Sequence, residues 1–125
     1  MTQEEKELLL KDLCARLPYG VKIRYENKVF SVDYISAMYE EIKLDIPDNY
    51  TIDISDIKPY IFPLSSMTEE QDKEFALLQT SAGQEGFLYA WNCANIIKWL
   101  IENHFDYNGL IPKGLAIDAT GLNIY

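Results

Sequence analysis

A single histidine, His104, stands among the 125 residues, so any mechanism that needs an imidazole must run through that position. Cysteine is nearly as scarce, with only Cys14 and Cys93. No pair of histidines or cysteines sits at the short spacing of a zinc site, and no metal is expected. Asp45, Asp48 and Asp53 are neighbours in sequence, but no Asp-x-Asp-x-Asp-Gly loop ending in glutamate contains them, which excludes an EF-hand calcium loop. GxGxxG, P-loop and GxSxG patterns are also missing, so nothing announces a phosphate cradle, a nucleophile elbow or a cofactor. Long apolar runs are absent too. The best candidate, Phe87 to Ile101, is interrupted by Asn92, Asn95 and Lys98, short of the roughly 18–20 apolar residues of a membrane helix.

Basic charge is in short supply: 11 basic groups face 20 acidic ones, for a net charge of −9. The deficit is local. Residues 1–30 carry six basic and five acidic groups, residues 31–80 three and eleven, and residues 81–125 two and four. A field of that sign repels phosphate backbones and argues against direct nucleic-acid binding. A 48% apolar and 13% aromatic composition is ample for a core, and the length predicts one domain, residues 1–125. Thr2-Gln-Glu-Glu-Lys-Glu7 lacks the basic start and apolar middle of a secretory signal, so the expected location is the cytoplasm. In that compartment Cys14 and Cys93, both among apolar neighbours in helical patterns, are expected as buried thiols.

Thr2 and Glu5 have capping-box spacing, and Leu9, Leu10, Leu13, Cys14 and Leu17 follow at helical intervals up to the stop at Pro18 and Gly20. The period then changes to two. Val21, Ile23 and Tyr25 alternate with polar residues, as do Phe30, Val32 and Tyr34 after a Glu26-Asn27-Lys28 turn, which predicts a hairpin. A second hairpin is predicted from Ile42, Leu44, Ile46 and Tyr50, Ile52, Ile54, with Ile46 opposite Tyr50 and Lys43 opposite Asp53. Pro59 and Pro63 assign the segment Ile57 to Leu64 to an edge strand or a crossing segment. Ser66 and Glu69 repeat the capping spacing and predict a helix over 67–79. A third helix, over 85–103, has apolar residues around half its circumference and is expected to be the spine of the core. Short strands are expected at 115–117 and 123–125.

Few residues propose chemistry. Cys93 and His104 share a helix face but are separated by roughly 16 Å of helix rise, too far to form a dyad. His104 and Asp106 could pair, yet a histidine at a helix C-terminus is more simply explained by the dipole. Glu40 and Glu41 are adjacent in a strand region and point to opposite faces, which disqualifies them as paired glycosidase carboxylates. The feature with most promise is a stripe on the third helix, Trp91, Asn95 and Trp99 at i, i+4 and i+8, with Glu102 nearby. It is either a partner surface, since tryptophan is enriched at binding hot spots, or a face covered by another element.

Three segments, Leu8 to Lys22, Asp56 to Glu69 and His104 to Asp118, together resemble a family of short uncharacterised bacterial proteins, often encoded near prophage-like or other mobile elements. The resemblance implies genomic company and transfers no reaction, ligand or catalytic residue.

The expected fold is α+β: an N-terminal helix, a small, antiparallel, SH3-like curved sheet of four or five strands, and two further helices. Whether the sheet closes into a barrel, and the oligomeric state, stay open. The favoured function is a non-enzymatic protein-binding module. One alternative is an acidic mimic that occupies a DNA-binding protein through Glu40, Glu41, Asp45, Asp48, Asp53 and Asp56. The other is a small hydrolase or transferase using His104.

Overall fold

Thr2 opens helix α1 (Gln3–Arg16) with a complete capping box: its hydroxyl accepts from the Glu5 amide at 3.1 Å, and its own amide donates to Glu5 Oε1 at 3.0 Å. The helix buries Leu9, Asp12, Leu13 and Arg16, one stripe at i, i+3, i+4 and i+7. A short 3-10 turn, Leu17–Tyr19, follows, and Gly20 at φ +75° supplies the left-handed exit. The structure is a computed structural model that describes residues 1–46, 51–82 and 86–125; the side chains of residues 80–92 lie outside that description.

Strands β1 (Lys22–Tyr25) and β2 (Lys28–Ser36) form the first predicted hairpin. Glu26 and Asn27, at φ +50° and +63°, make a two-residue turn of the type whose twist matches that of the flanking strands. Strand β2 continues to β3 (Glu41–Leu44) with a register shift between Val32 and Tyr34, and β3 pairs with β4 (Ile52–Asp53). A 3-10 turn, Ile54–Asp56, packs against α1 and leads the chain to β5 (Lys58–Ile61), which lies antiparallel to β1. Helices α2 (Glu69–Ala82) and α3 (Gly86–Glu102) then carry the chain over to β6 (Ile117–Asp118), parallel to β5, as a parallel pair requires. The sheet has six strands in the order β4-β3-β2-β1-β5-β6, and the fold is α+β.

Several expectations change on contact with this geometry. The second hairpin has Glu41 opposite Asp53 and Ile42 opposite Ile52, so Lys43 does not face Asp53; it approaches Asp33 of β2 at 3.9 Å. The predicted Ile46–Tyr50 pairing falls partly on residues 47–50, outside the described residues. Strand β5 is not an edge. Pairing with β6 begins at Tyr60, one residue past Pro59, so on that side the missing proline N–H interrupts no ladder. The cap of α2 is Thr68 rather than Ser66: Thr68 Oγ1 accepts from the Gln71 amide at 3.1 Å and the Thr68 amide donates to Gln71 Oε1 at 2.9 Å. Residues 123–125 form no strand.

The core is also centred elsewhere than expected. Leu9 and Leu13 of α1 pack with Ile23, Ile42, Leu44, Ile54, Ile57 and Ile61, all essentially without solvent exposure. Because α1 fills the core, α3 is left to pack mainly on α2. Among its described residues only Leu100 and Ile101, at the C-terminal end, are buried, whereas Ala94 and Ile97 face solvent.

Candidate functional site

The end of α3 places the one histidine. The Phe105 amide donates to Leu100 O at 2.8 Å and the His104 amide to Ile101 O at 3.0 Å, the paired bonds of a Schellman motif. His104 therefore occupies the left-handed position usually given to glycine, at φ +63°. Its ring stacks on Tyr125, with centroids 3.7 Å apart and planes inclined by 14°. The Tyr125 hydroxyl in turn donates to Tyr60 O at 2.6 Å and accepts from the Lys22 amide at 2.9 Å, joining β5 to β1. Burial, with a smaller push from the Arg16 charge, lowers the His104 pKa to about 4, so the ring is neutral at physiological pH.

Asp106 is no partner for that ring. Its two oxygens accept from the amides of Leu110 at 2.8 Å and Ile111 at 2.9 Å, which fold the loop after α3. Beneath the loop lies a feature that the sequence reading missed. Arg16 Nε donates to Asp12 Oδ2 at 2.6 Å, Arg16 Nη2 donates to Asp12 Oδ1 at 3.1 Å and to Phe105 O at 2.6 Å, and Asn108 Nδ2 donates to Asp12 Oδ1 at 2.9 Å. Both charged side chains are fully buried, with Arg16 also 5.3 Å from the Tyr107 ring centroid. The signal was present: Asp12 and Arg16 fall on the Leu9–Leu13 face of α1, where an exposed pair would not.

The other candidates are dispersed. Cys14 is exposed and Cys93 partly so, both free thiols, which corrects the expectation that they are buried. Glu40 takes both contacts of the Gln3 amide, at 3.2 and 3.3 Å, while Glu41 accepts from the Thr51 hydroxyl at 2.8 Å. Asp53 is occupied by Ser55, and Asp45 and Asp56 are exposed; Asp48 lies outside the described residues. No cluster of three metal-binding side chains occurs among the described residues.

Of the tryptophan stripe, Trp99 meets α2. Trp99 stacks with Phe75 of α2 and with Phe105, at 5.8 and 5.7 Å, and its indole N–H donates to Glu74 Oε2 at 3.0 Å. Phe105 contacts Phe62 edge-on, and Phe62 touches Tyr125, so a continuous row of rings ties the two helices to the sheet. Asn95 is half-buried, Glu102 is exposed and lies 3.7 Å from Lys98, and the Trp91 side chain is outside the described residues. Beside Trp99, the residues Glu74, Leu77 and Leu78 border an open groove of about 300 Å³. Leu77 is 70% exposed on its rim, and Ile97 is 45% exposed on another side of α3.

No described helix is long and apolar enough to cross a membrane. No family model, curated protein or solved structure matches the chain.

Proposed function

We propose that the protein is a non-enzymatic protein-binding module whose α2–α3 pair receives a helical segment with an apolar ridge and basic flanks. The observation that carries this is the open groove beside Trp99 with Leu77 exposed on its rim, on a helix pair of which one member, α3, has only two charged residues, Lys98 and Glu102, in seventeen. A helix so poor in charge is ordinarily covered on most sides. Here α2 covers one side, and an open groove runs along Trp99.

Charge selects the kind of partner. The first turns of α2 present Glu69, Glu70 and Asp72, and Glu74 stands in the groove wall. A second copy of this chain, at net −9, would bring the same sign to that face, whereas a basic segment would complement it. The reading sits with a cytoplasmic adaptor and with the resemblance to proteins encoded near mobile elements. The SH3-like description of the sheet belongs to the same proposal, resting on the β2–β4 meander and the return of β5 beside β1.

The histidine-enzyme alternative has less support, because the His104 ring and the Asp106 oxygens are each engaged elsewhere. The acidic mimic would need free carboxylates on one face, and Glu40, Glu41 and Asp53 are already bonded to neighbours. The test is calorimetry with two designed amphipathic helical peptides of equal apolar content, one lysine-rich and one glutamate-rich. The lysine peptide is expected to bind, with at least a tenfold loss for Leu77→Asp and a several-fold loss for Glu74→Gln, which keeps an acceptor for the Trp99 indole. Equal affinity for both peptides, or concentration-dependent dimerisation of the free protein abolished by Leu77→Asp, would overturn the reading.

A further inference from the structure

A second depression, of about 240 Å³, lies where β5 and β6 end, walled in part by Phe62 and Phe105 of the aromatic row. Phe62 directly follows β5, and Thr120 and Gly121 follow β6 by one turn. The start of α2 (Thr68, Gln71) and the residue just past α3 (Asn103) contribute further sides. Three stretches of chain, residues 62–71, 103–105 and 120–121, thus converge on one concavity, smaller than the roughly 300–1,000 Å³ of drug-sized pockets.

Its chemistry is uniform in one respect: among the described residues, every side-chain heteroatom in the wall is neutral. Hydroxyls come from Ser66, Thr68 and Thr120, and carboxamides from Gln71 and Asn103. Part of that capacity is used locally. Asn103 Nδ2 donates to Trp99 O, Gln71 Oε1 accepts from the Thr68 amide, and Thr68 Oγ1 accepts from the Gln71 amide. What remains is complementary: the Asn103 carbonyl oxygen can accept, and the Gln71 NH₂ and the Thr68 hydroxyl can donate. These local bonds also hold the two amides in a fixed orientation, which lowers the ordering cost of binding. Phe62 adds an aromatic surface.

We infer that this depression is a binding site for a neutral saccharide ring, with hydroxyls meeting Gln71, Thr68 and Asn103 and a C–H face resting on Phe62. Phosphates and carboxylates find no cation in the wall and a chain of net charge −9 around it; metal ions and amines find no carboxylate in the wall. A polyol supplies donors and acceptors together from one small uncharged body. The site is separate from the α2–α3 groove and stands or falls without it, although Phe105 in its wall stacks on Trp99.

The experiment is a ¹⁵N–¹H NMR titration of the whole chain with glucose and with N-acetylglucosamine, each up to 50 mM, and with N-acetylneuraminic acid and inorganic phosphate as anionic counterparts. Saturable shifts are expected for the neutral sugars, confined to residues around Gln71, Asn103 and Gly121. Asn103→Ala and Gln71→Ala should each weaken binding at least fivefold. Both positions are half-buried at a helix end, and an unchanged spectrum away from the site confirms that the variants fold. Absence of saturable shifts with both sugars, shifts indifferent to the two substitutions, or equal binding of the anions would each overturn the assignment.

Discussion

Asp12 and Arg16, one turn apart on α1, are both removed from solvent and joined at 2.6 Å, yet the pair is more than an internal clasp of the helix. Arg16 also holds Phe105 O and Asp12 holds Asn108, so the N-terminal helix fixes the loop that follows α3, almost ninety residues later. That loop in turn carries Phe105, on which Trp99 stacks.

The first prediction follows from the asymmetry of buried ion pairs: removing one member strands the other in a medium that cannot solvate it. Asp12→Ala and Arg16→Ala should each lower stability by about 3–5 kcal/mol in chemical denaturation. The double replacement Asp12→Leu with Arg16→Met leaves no stranded charge and should cost less than either single change. A double variant whose loss equals the sum of the singles would show that the two residues act independently.

The second concerns acid. The His104 pKa of about 4 lies below its ordinary 6.5, so the unfolded chain binds this proton first as pH falls. Stability from the neutral, stacked ring is complete above about pH 6.5 and is lost as pH drops from there towards 4. Glu5 is held low by hydrogen bonds from Thr2, Asp53 by those from Ser55 and Asp118 by those from Thr120, and they contribute to acid sensitivity only below the ordinary carboxylate range. Thermal melts of the protein should therefore decline between pH 6.5 and 4.5, and His104→Phe, which retains a ring over Tyr125, should flatten that interval. A slope that persists in His104→Phe would assign it to another group.

How much of this was legible in the sequence depends on whether the cause was local. The α1 capping box, the Glu26-Asn27 hairpin and the helix spans were readable because their determinants lie within a few residues. The placement of β5 was not, since β6 contributes only two residues and reaches β5 through a long crossover. The centre of the core was misjudged for a similar reason: α3 is the most apolar helix, but α1 occupies the core, a fact set by topology rather than by hydrophobicity. In the candidate surface, Trp99 stood out by its helical spacing with Trp91 and Asn95, while its contact with Phe75 of α2 depended on how two helices dock. His104 looked like a dipole partner because its Schellman position is visible only once the Phe105 amide is seen to reach Leu100.

Asp106 gives the third prediction. Each of its oxygens satisfies one backbone amide in the loop, and Leu110, whose amide is one of them, is fully buried. Asp106→Ala orphans two donors and should cost about 2–6 kcal/mol, taking 1–3 kcal/mol for each unsatisfied group. Asp106→Asn keeps one acceptor and should lose roughly half as much. Amide exchange at Leu110 and Ile111 should quicken in both variants before global unfolding does. Unchanged exchange there would mean that the Asp106 bonds do not hold the loop.

The fourth prediction sits at the opposite end of the pH scale and uses the ring against which His104 lies. Desolvation pushes the Tyr125 phenol up to about 12, from an ordinary value of 10. The folded chain therefore retains this proton after the unfolded chain has released it, and stability is whole below about pH 10 and falls as pH rises towards 12. Tyr125→Phe removes the titration, but it also removes the acceptor of the Lys22 amide and the donor to Tyr60 O. Its cost at neutral pH should be about 1–3 kcal/mol, two lost hydrogen bonds at about 0.5–1.5 kcal/mol each. The two variants thus separate the roles of the stacked pair: His104→Phe should flatten the acid limb and leave the alkaline one, whereas Tyr125→Phe should lower the whole curve and flatten only the alkaline limb. If Tyr125→Phe left neutral-pH stability unchanged, the hydroxyl would not be a bridge between β1 and β5, and the hold of residue 125 on the sheet would reside in ring contacts with Phe62 and His104 alone.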